Sequence, residues 1–112
     1  MTYEDFLISL SDISAEQAYE ILEENPNHEH KSGYEFIIKK DPEHAYLYAR
    51  YIIKGRFPEA EEYIKKHPKY AYEYAKYVIK GRFPEAEESI KKDPQYAHYY
   101  AKNVIKDENF WD

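Results

Sequence analysis

The chain has 112 residues, of which 43% are apolar and 14 are tyrosine, and its net charge at pH 7 is −6. It contains no cysteine, which excludes disulfides and thiolate metal sites and is compatible with a reducing compartment. No apolar run approaches the roughly 20 residues of a membrane span. Glu4 and Asp5 stand where a signal peptide would be basic, so we expect a cytoplasmic protein.

The charge is distributed unevenly along the chain. Residues 1–30 carry eight acidic side chains and no Lys or Arg, whereas residues 31–112 hold all 16 basic residues and sum to +2. Such an acidic end is either a solvated cap or a docking surface for a basic partner. The candidate contact residues there are Glu16, Glu20, Glu23 and Glu24.

Capping signals predict where the first helices begin. A helix over 2–10 is followed by one from about residue 14 to Glu24, which Asn25-Pro26-Asn27 ends because the residue before proline avoids the α region. A third helix runs through Lys40. The three predicted capping boxes are Thr2 with Asp5, Ser14 with Gln17, and Ser32 with Glu35.

From residue 45 the chain repeats itself every 26 residues. AYLYARYIIKGRFPEAEEYIKKHPKY at 45–70 is followed by AYEYAKYVIKGRFPEAEESIKKDPQY at 71–96, and a third copy begins at Ala97. KKDP at 39–42 precedes KKHP and KKDP at the same period, so 14–40 is a degenerate repeat. A period of this length predicts stacked helical pairs. We expect an all-α, right-handed α-solenoid with a cap at 1–13, repeats at 14–40, 41–66 and 67–92, and a partial repeat and cap at 93–112.

Each repeat is predicted to contain a longer helix A and a shorter helix B. Helix A has proline in its first turn after Asp41, His67 or Asp93, of which the two aspartates are the better caps. It is predicted to end at a left-handed glycine, Gly55 or Gly81. Helix B begins at Pro58 or Pro84 and its outer face is expected to be neutralised by i,i+4 pairs. These pairs are Glu61–Lys65, Glu62–Lys66, Glu87–Lys91 and Glu88–Lys92.

A column of aromatic residues follows one edge of the A helices. Two interpretations remain open: the rings pack between repeats with their hydroxyls at the wet rim, or they form a platform that grips a partner. The candidate contact residues are Tyr48, Tyr51, Tyr70, Tyr74, Tyr77, Tyr96 and Tyr100, and Asn103 ends the column.

A basic stripe runs beside the tyrosines on the A helices and in the turns. Interleaved aromatic and cationic side chains can bind single-stranded nucleic acid, which is the alternative function. Nucleic-acid-binding proteins usually carry a clear positive excess, and this chain does not. The candidate residues are Arg50, Lys54, Arg56, Lys76, Lys80, Arg82 and Lys102.

Little in the sequence favours catalysis. His28-Glu29-His30 is predicted to lie on a loop and lacks the i,i+4 spacing of a helical zinc motif. The remaining histidines do not occupy equivalent repeat positions, and no glycine-rich phosphate loop is present. We therefore expect no catalytic residues, no metal and no cofactor.

The pattern DP-x-x-AY-x-YA-x-x-V/I-IKGRFPEAE-x-x-I-x-K, over 41–66, 67–92 and 93–106, resembles uncharacterised tandem helical-repeat proteins of tailed bacteriophages and some giant viruses. The resemblance implies a viral origin and a repeat scaffold, and it supplies no site residues. We expect a non-catalytic protein-interaction module that binds, and in its specific form inhibits, a host protein such as a CRISPR effector nuclease. The acidic N-terminus would then occupy a nucleic-acid groove of that host protein. Phe110 and Trp111 either fold back over the last apolar face or, if unburied, join two copies of the chain.

Overall fold

The computed structural model describes residues 12–112, and every regular element in that range is helical. The all-α prediction is therefore confirmed for this part of the chain, whereas the helix predicted over 2–10 lies outside the described residues. None of the described helices is long and apolar enough to cross a membrane. The α-helices are α1 (Ala15–Glu24), α2 (Lys31–Ile38), α3 (Pro42–Tyr48), α4 (Pro58–Ile64), α5 (Pro68–Tyr74), α6 (Glu87–Lys91) and α7 (Pro94–Tyr100).

The first two described helices begin differently. Ser14 and Gln17 form the predicted capping box, with the Gln17 amide donating to Ser14 Oγ at 3.1 Å and the Ser14 amide donating to Gln17 Oε1 at 2.9 Å. The capping box predicted for Ser32 and Glu35 is wrong, because α2 already begins at Lys31. The Glu35 carboxylate instead accepts a hydrogen bond from the Tyr48 hydroxyl at 2.8 Å.

Each A helix has the predicted proline in its first turn, and its cap depends on the residue before that proline. Asp41 accepts a hydrogen bond from the Glu43 amide and Asp93 from the Gln95 amide, both at 3.1 Å. His67 makes no such bond. The preference for aspartate over histidine at this position is confirmed.

The A helices do not end in the left-handed glycine that the sequence predicts. Each continues into a π-helical turn and ends at a lysine in the left-handed region, with φ of 61° at Lys54 and Lys80 and 65° at Lys106, whereas no described glycine has a positive φ. The widened turn lets the Gly55 amide donate to the Ala49 carbonyl at 3.1 Å, six residues back. The prediction that Gly55 and Gly81 adopt the left-handed conformation is therefore wrong. The π-helical turns are Ala49–Ile53, Ala75–Ile79 and Ala101–Ile105.

The A helices of the clear repeats begin as α3, α5 and α7, and A helices of successive repeats pack side by side. Helix α3 contacts both α1 and α5, and α5 contacts α7. The buried alanines of the A helices permit this close approach, and the core continues into the B helices through Phe57, Ala60 and Ile64 and their counterparts. The result is elongated, at 56 × 22 × 17 Å with a radius of gyration of 15.8 Å. A compact domain of this length would have a radius of gyration of about 13 Å.

The C-terminal aromatics cover the last A helix. The Trp111 indole donates to the Ala97 carbonyl at 2.8 Å, and its ring lies 5.8 Å from that of Tyr100. Phe110 packs edge-on against Trp111 with a centroid distance of 4.7 Å. Of the two alternatives for these rings, folding back over the last repeat is the one that the structure shows.

Candidate interaction surface

The tyrosine at the middle of each A helix is buried against the preceding helix B. Tyr74 is 0% exposed, and its hydroxyl donates to Glu61 Oε2 at 2.6 Å while accepting from the Phe57 backbone amide at 2.8 Å. Arg56 closes the arrangement, because its Nε and Nη2 both donate to the Glu61 carboxylate at 2.8 Å. These four residues form a joint that ties one repeat to the next.

The same joint recurs one repeat later and in simpler form one repeat earlier. Tyr100 donates to Glu87 at 2.6 Å and accepts from the Phe83 amide at 2.9 Å, and Arg82 pairs with Glu87 through two bonds. In the earlier joint Tyr48 donates to Glu35, and the Lys31 amide, at the position of Phe57, donates to the His28 carbonyl instead of to the tyrosine. His30 stands at the arginine position. The segment KGRFPEAEE, which is identical in both complete copies, therefore supplies the arginine, the phenylalanine and the glutamate of the joint.

The network shifts the pKa values of its members. Burial, together with the hydrogen bond to Glu61, raises the pKa of Tyr74 well above its ordinary range. Burial alone would raise the pKa of Glu61, but the hydrogen bonds from Arg56 and Tyr74 outweigh it and lower that pKa. At Glu87 the hydrogen bond from Arg82 is the largest cause of a lowered pKa, against an opposing effect of burial. Both carboxylates are thus held in the ionised form.

These contacts remove several residues from the predicted surfaces. Tyr48, Tyr74 and Tyr100 are all 0% exposed, so their assignment to a partner-binding surface is wrong. Arg56 and Arg82 are exposed, but each already pairs its charge with Glu61 or Glu87 through two N–H groups, which lowers its attraction for a phosphate. The predicted pairs of those glutamates with Lys65 and Lys91 are replaced by these arginine contacts.

Tyr70 and Tyr96 are intermediate cases, half-buried between neighbouring A helices. The Tyr70 hydroxyl donates to Glu43 of the preceding repeat at 2.7 Å, and burial followed by this bond raises the pKa of Tyr70 to about 12. Tyr96 packs its ring 6.0 Å from that of Tyr72. Both tyrosines therefore hold neighbouring repeats together, which matches the first of the two predicted roles.

Tyr51 and Tyr77 are the most exposed members of the column, with 52% and 39% of their surfaces exposed. Arg50 lies over the Tyr77 ring, 3.9 Å from its centroid, and 4.9 Å from that of Tyr51. Lys76 lies 5.0 Å from the Tyr77 centroid. Aromatic rings and arginine are the side chains enriched at protein interfaces. We call Arg50, Tyr51, Lys76 and Tyr77 the aromatic–cationic patch.

A cleft opens beside this patch, between the ends of two successive A helices. It has a volume of about 220 Å³ and is lined by Ala49, Arg50, Lys54, Gly55, Tyr77, Val78 and Lys80. Three of the lining residues are cationic and none is acidic. In the partial repeat at 93–112, Lys102 is exposed at the position of Arg50 and Lys76. Asn103 takes the position of Tyr51 and Tyr77 there, and it donates to the Tyr72 hydroxyl at 2.9 Å.

The predicted acidic surface is a real feature of α1. Glu16, Glu20, Glu23 and Glu24 are all exposed, and the last turn of the helix contains no basic residue. They lie on a different helix from the aromatic–cationic patch, but α1 packs against α3, whose π-helical turn carries Arg50 and Tyr51. Burial, followed by the effects of Glu23 and Tyr51, raises the pKa of Tyr19, so this hydroxyl of α1 lies close to a residue of each set. The described chain therefore presents an acidic and a cationic candidate contact region on neighbouring helices.

No metal centre is evident among residues 12–112, where no group of three or more His, Asp or Glu side chains could hold a metal ion. The His28 and His30 rings lie 5.8 Å apart, and His30 Nε2 is 3.5 Å from the Glu29 carboxylate.

Sequence reasoning missed the arginine–glutamate–tyrosine joint, although its signal was present. In both complete copies an arginine precedes a glutamate by five positions, and a tyrosine follows that glutamate by 13. Periodicity within one helix does not show a contact between repeats, whereas this constant spacing across repeats indicates one. Comparisons with protein-family models, curated proteins and solved structures returned no match. The resemblance to viral repeat proteins therefore stays a prediction.

Proposed function

We propose that this chain is a non-catalytic protein-interaction module, built as a right-handed α-solenoid whose aromatic–cationic patch contacts a partner protein. The observation that carries the proposal is that the tyrosine column contains both buried and exposed members. The buried tyrosines complete the joints, whereas Tyr51 and Tyr77 remain exposed beside Arg50 and Lys76. Exposed aromatic side chains next to arginine are the usual anchors of a protein interface.

The biological setting is part of the same proposal and rests on the sequence resemblance. In its specific form the protein acts in the cytoplasm of a host cell, where it binds and inhibits a host protein such as a defence nuclease. The exposed acids of α1 support this form, because a row of carboxylates resembles the charge of a nucleic acid.

Affinity capture from host lysate with matched variants tests the proposal. The wild type is compared with Tyr51→Ala/Tyr77→Ala and with Phe36→Ala, which removes an aromatic side chain that is 53% exposed on a different helix, α2. We expect the double variant to lose a partner that the Phe36 variant keeps. If the double variant retains every captured protein, the patch is not the contact surface.

Single-stranded nucleic-acid binding is a second candidate, favoured by the stacking of Arg50 on Tyr77. The pairing of Arg56 and Arg82 with carboxylates weighs against it, because the charges of these two arginines are already balanced within the chain. Filter binding of single-stranded DNA and RNA at low and at high salt separates the two candidates. Tight binding with a steep salt dependence would favour nucleic acid over protein.

A further inference from the structure

Arg50 differs from the other arginines of the described chain in having no carboxylate partner. Arg56 and Arg82 each spend two N–H groups on a glutamate. Arg50 donates through Nη1 to the Tyr46 hydroxyl at 2.7 Å, and its guanidinium lies 3.9 Å from the Tyr77 centroid. The guanidinium therefore has a fixed position and retains N–H donors beyond the one that Tyr46 accepts.

The surroundings of Arg50 favour an anion. The cleft beside it contains Lys54 and Lys80 as well as the Tyr77 ring, and no acidic side chain lines it. Both lysines follow the π-helical turns in left-handed backbone, so the chain holds them at the cleft in an uncommon conformation for a residue with a side chain. Three cationic residues thus line one small cavity, and no acidic residue lines it.

We infer that this cleft receives an acidic side chain of the partner protein, whose carboxylate pairs with Arg50. The inference rests on the proposed function and specifies the chemistry of the partner at that surface. A planar guanidinium matches a carboxylate through two parallel N–H bonds. Because Tyr46 and Tyr77 already hold Arg50 in place, less side-chain freedom is lost when the carboxylate binds.

A protein carboxylate fits this region better than a nucleic-acid strand does. Strands bind along a groove that offers successive stacking platforms. Here the column of exposed rings ends after Tyr77, because Asn103 takes the next position and its amide is engaged with Tyr72. The cleft of about 220 Å³ is a local cavity, and the net charge of −6 opposes a long polyanion.

Amide chemical-shift titration with a hexaglutamate peptide tests the inference. We expect the peptide to shift the amides of residues 49–55 and 77–81 in the wild type. Arg50→Gln should weaken this binding about 5-fold, as expected for one partly exposed ion pair, and Arg50→Lys should restore it only in part. Lys66→Gln removes the same charge at an exposed position at the end of helix B, and we expect it to leave binding unchanged.

Three outcomes would overturn the inference: equal weakening by Lys66→Gln, no shifts at the cleft, or stronger binding of hexathymidylate at the same amides. Repeating the lysate capture with Arg50→Gln separates this inference from the proposed function. If Tyr51→Ala/Tyr77→Ala loses the partner and Arg50→Gln keeps it, the aromatic–cationic patch is the contact surface, but Arg50 does not bind a carboxylate of the partner. If both keep it, the proposed function itself fails.

Discussion

Replacing Tyr74 by phenylalanine deletes one oxygen atom and two hydrogen bonds, one buried and one partly buried. The ring is 0% exposed and retains its packing, so the change isolates the hydroxyl. Its bond to the ionised Glu61 belongs to the class that contributes about 1.5–3 kcal/mol, and the Phe57 amide left without a partner costs about 1–3 kcal/mol. Since the two effects overlap, we expect the free energy of unfolding to fall by about 2–4 kcal/mol.

Urea unfolding followed by circular dichroism measures this loss. We expect a lower midpoint with an unchanged m-value, because the surface exposed on unfolding is the same. Tyr51→Phe is the matched control: its ring is 52% exposed, and we expect a loss of no more than about 0.5 kcal/mol. A Tyr74→Phe protein as stable as this control would refute the stabilising role of the joint.

The other two joints extend this prediction, because the loss of stability should follow the number of hydrogen bonds that each tyrosine makes. Tyr100 has the same two bonds as Tyr74, so Tyr100→Phe should cost a similar amount. Tyr48 bonds only to Glu35, and Tyr48→Phe leaves no backbone amide unpaired, so its cost should be smaller. Equal losses at all three positions would mean that the backbone hydrogen bond contributes little.

Three further changes test other parts of the fold. Lys80→Gly should raise the free energy of unfolding by about 1 kcal/mol, because it relieves the strain of a left-handed lysine. Gly81→Ala should change it little, since a Cβ at that position meets nothing within 4 Å. If urea unfolding showed the opposite order, the left-handed conformation would not belong to Lys80. The lowered pKa values of Glu61 and Glu87 mean that their contribution to stability is present above the ordinary pKa of 4.5 and is lost as the pH falls through the lowered values. Unfolding free energies between about pH 6 and about pH 3 should therefore decline less in a Glu61→Gln/Glu87→Gln variant than in the wild type. Trp111→Ala should cost about 1–3 kcal/mol, below the range for a fully buried tryptophan because this ring is half-buried, and thermal unfolding would show no change if the ring did not cover the last repeat.

The helices were predictable because their signals are local. Ser14, Asp41 and Asp93 cap the helices that follow them, and the prolines mark the first turns as expected. The role of the tyrosine column was not predictable from helical periodicity. Residues 48 and 51 lie on one helical edge, but the neighbouring repeat covers Tyr48 and leaves Tyr51 in solvent. Which side of that edge is covered depends on packing between repeats.

The wrong assignment of the left-handed residue has a different origin. Glycine is the usual left-handed residue after a helix, and the sequence offers glycine at 55 and 81. At the third copy, however, the residue after Lys106 is Asp107, while the lysine itself is present in all three. The π-helical turn places the positive φ on the lysine, one residue earlier than the common pattern. Comparing the copies position by position would have pointed to the lysine.

The joints also limit where a partner can make a distinctive contact. Arginine, glutamate and tyrosine recur at the two complete joints, so those positions are fixed by packing and cannot distinguish one repeat from another. The exposed edge does vary: Arg50 and Tyr51 in one copy become Lys76 and Tyr77 in the next, and then Lys102 and Asn103. An arginine without a carboxylate partner against an exposed tyrosine of the following repeat therefore occurs once in the described chain, between the copies at 41–66 and 67–92. A partner that recognises this pair binds at one position along the array, whereas a partner that recognises only the basic stripe would bind at several.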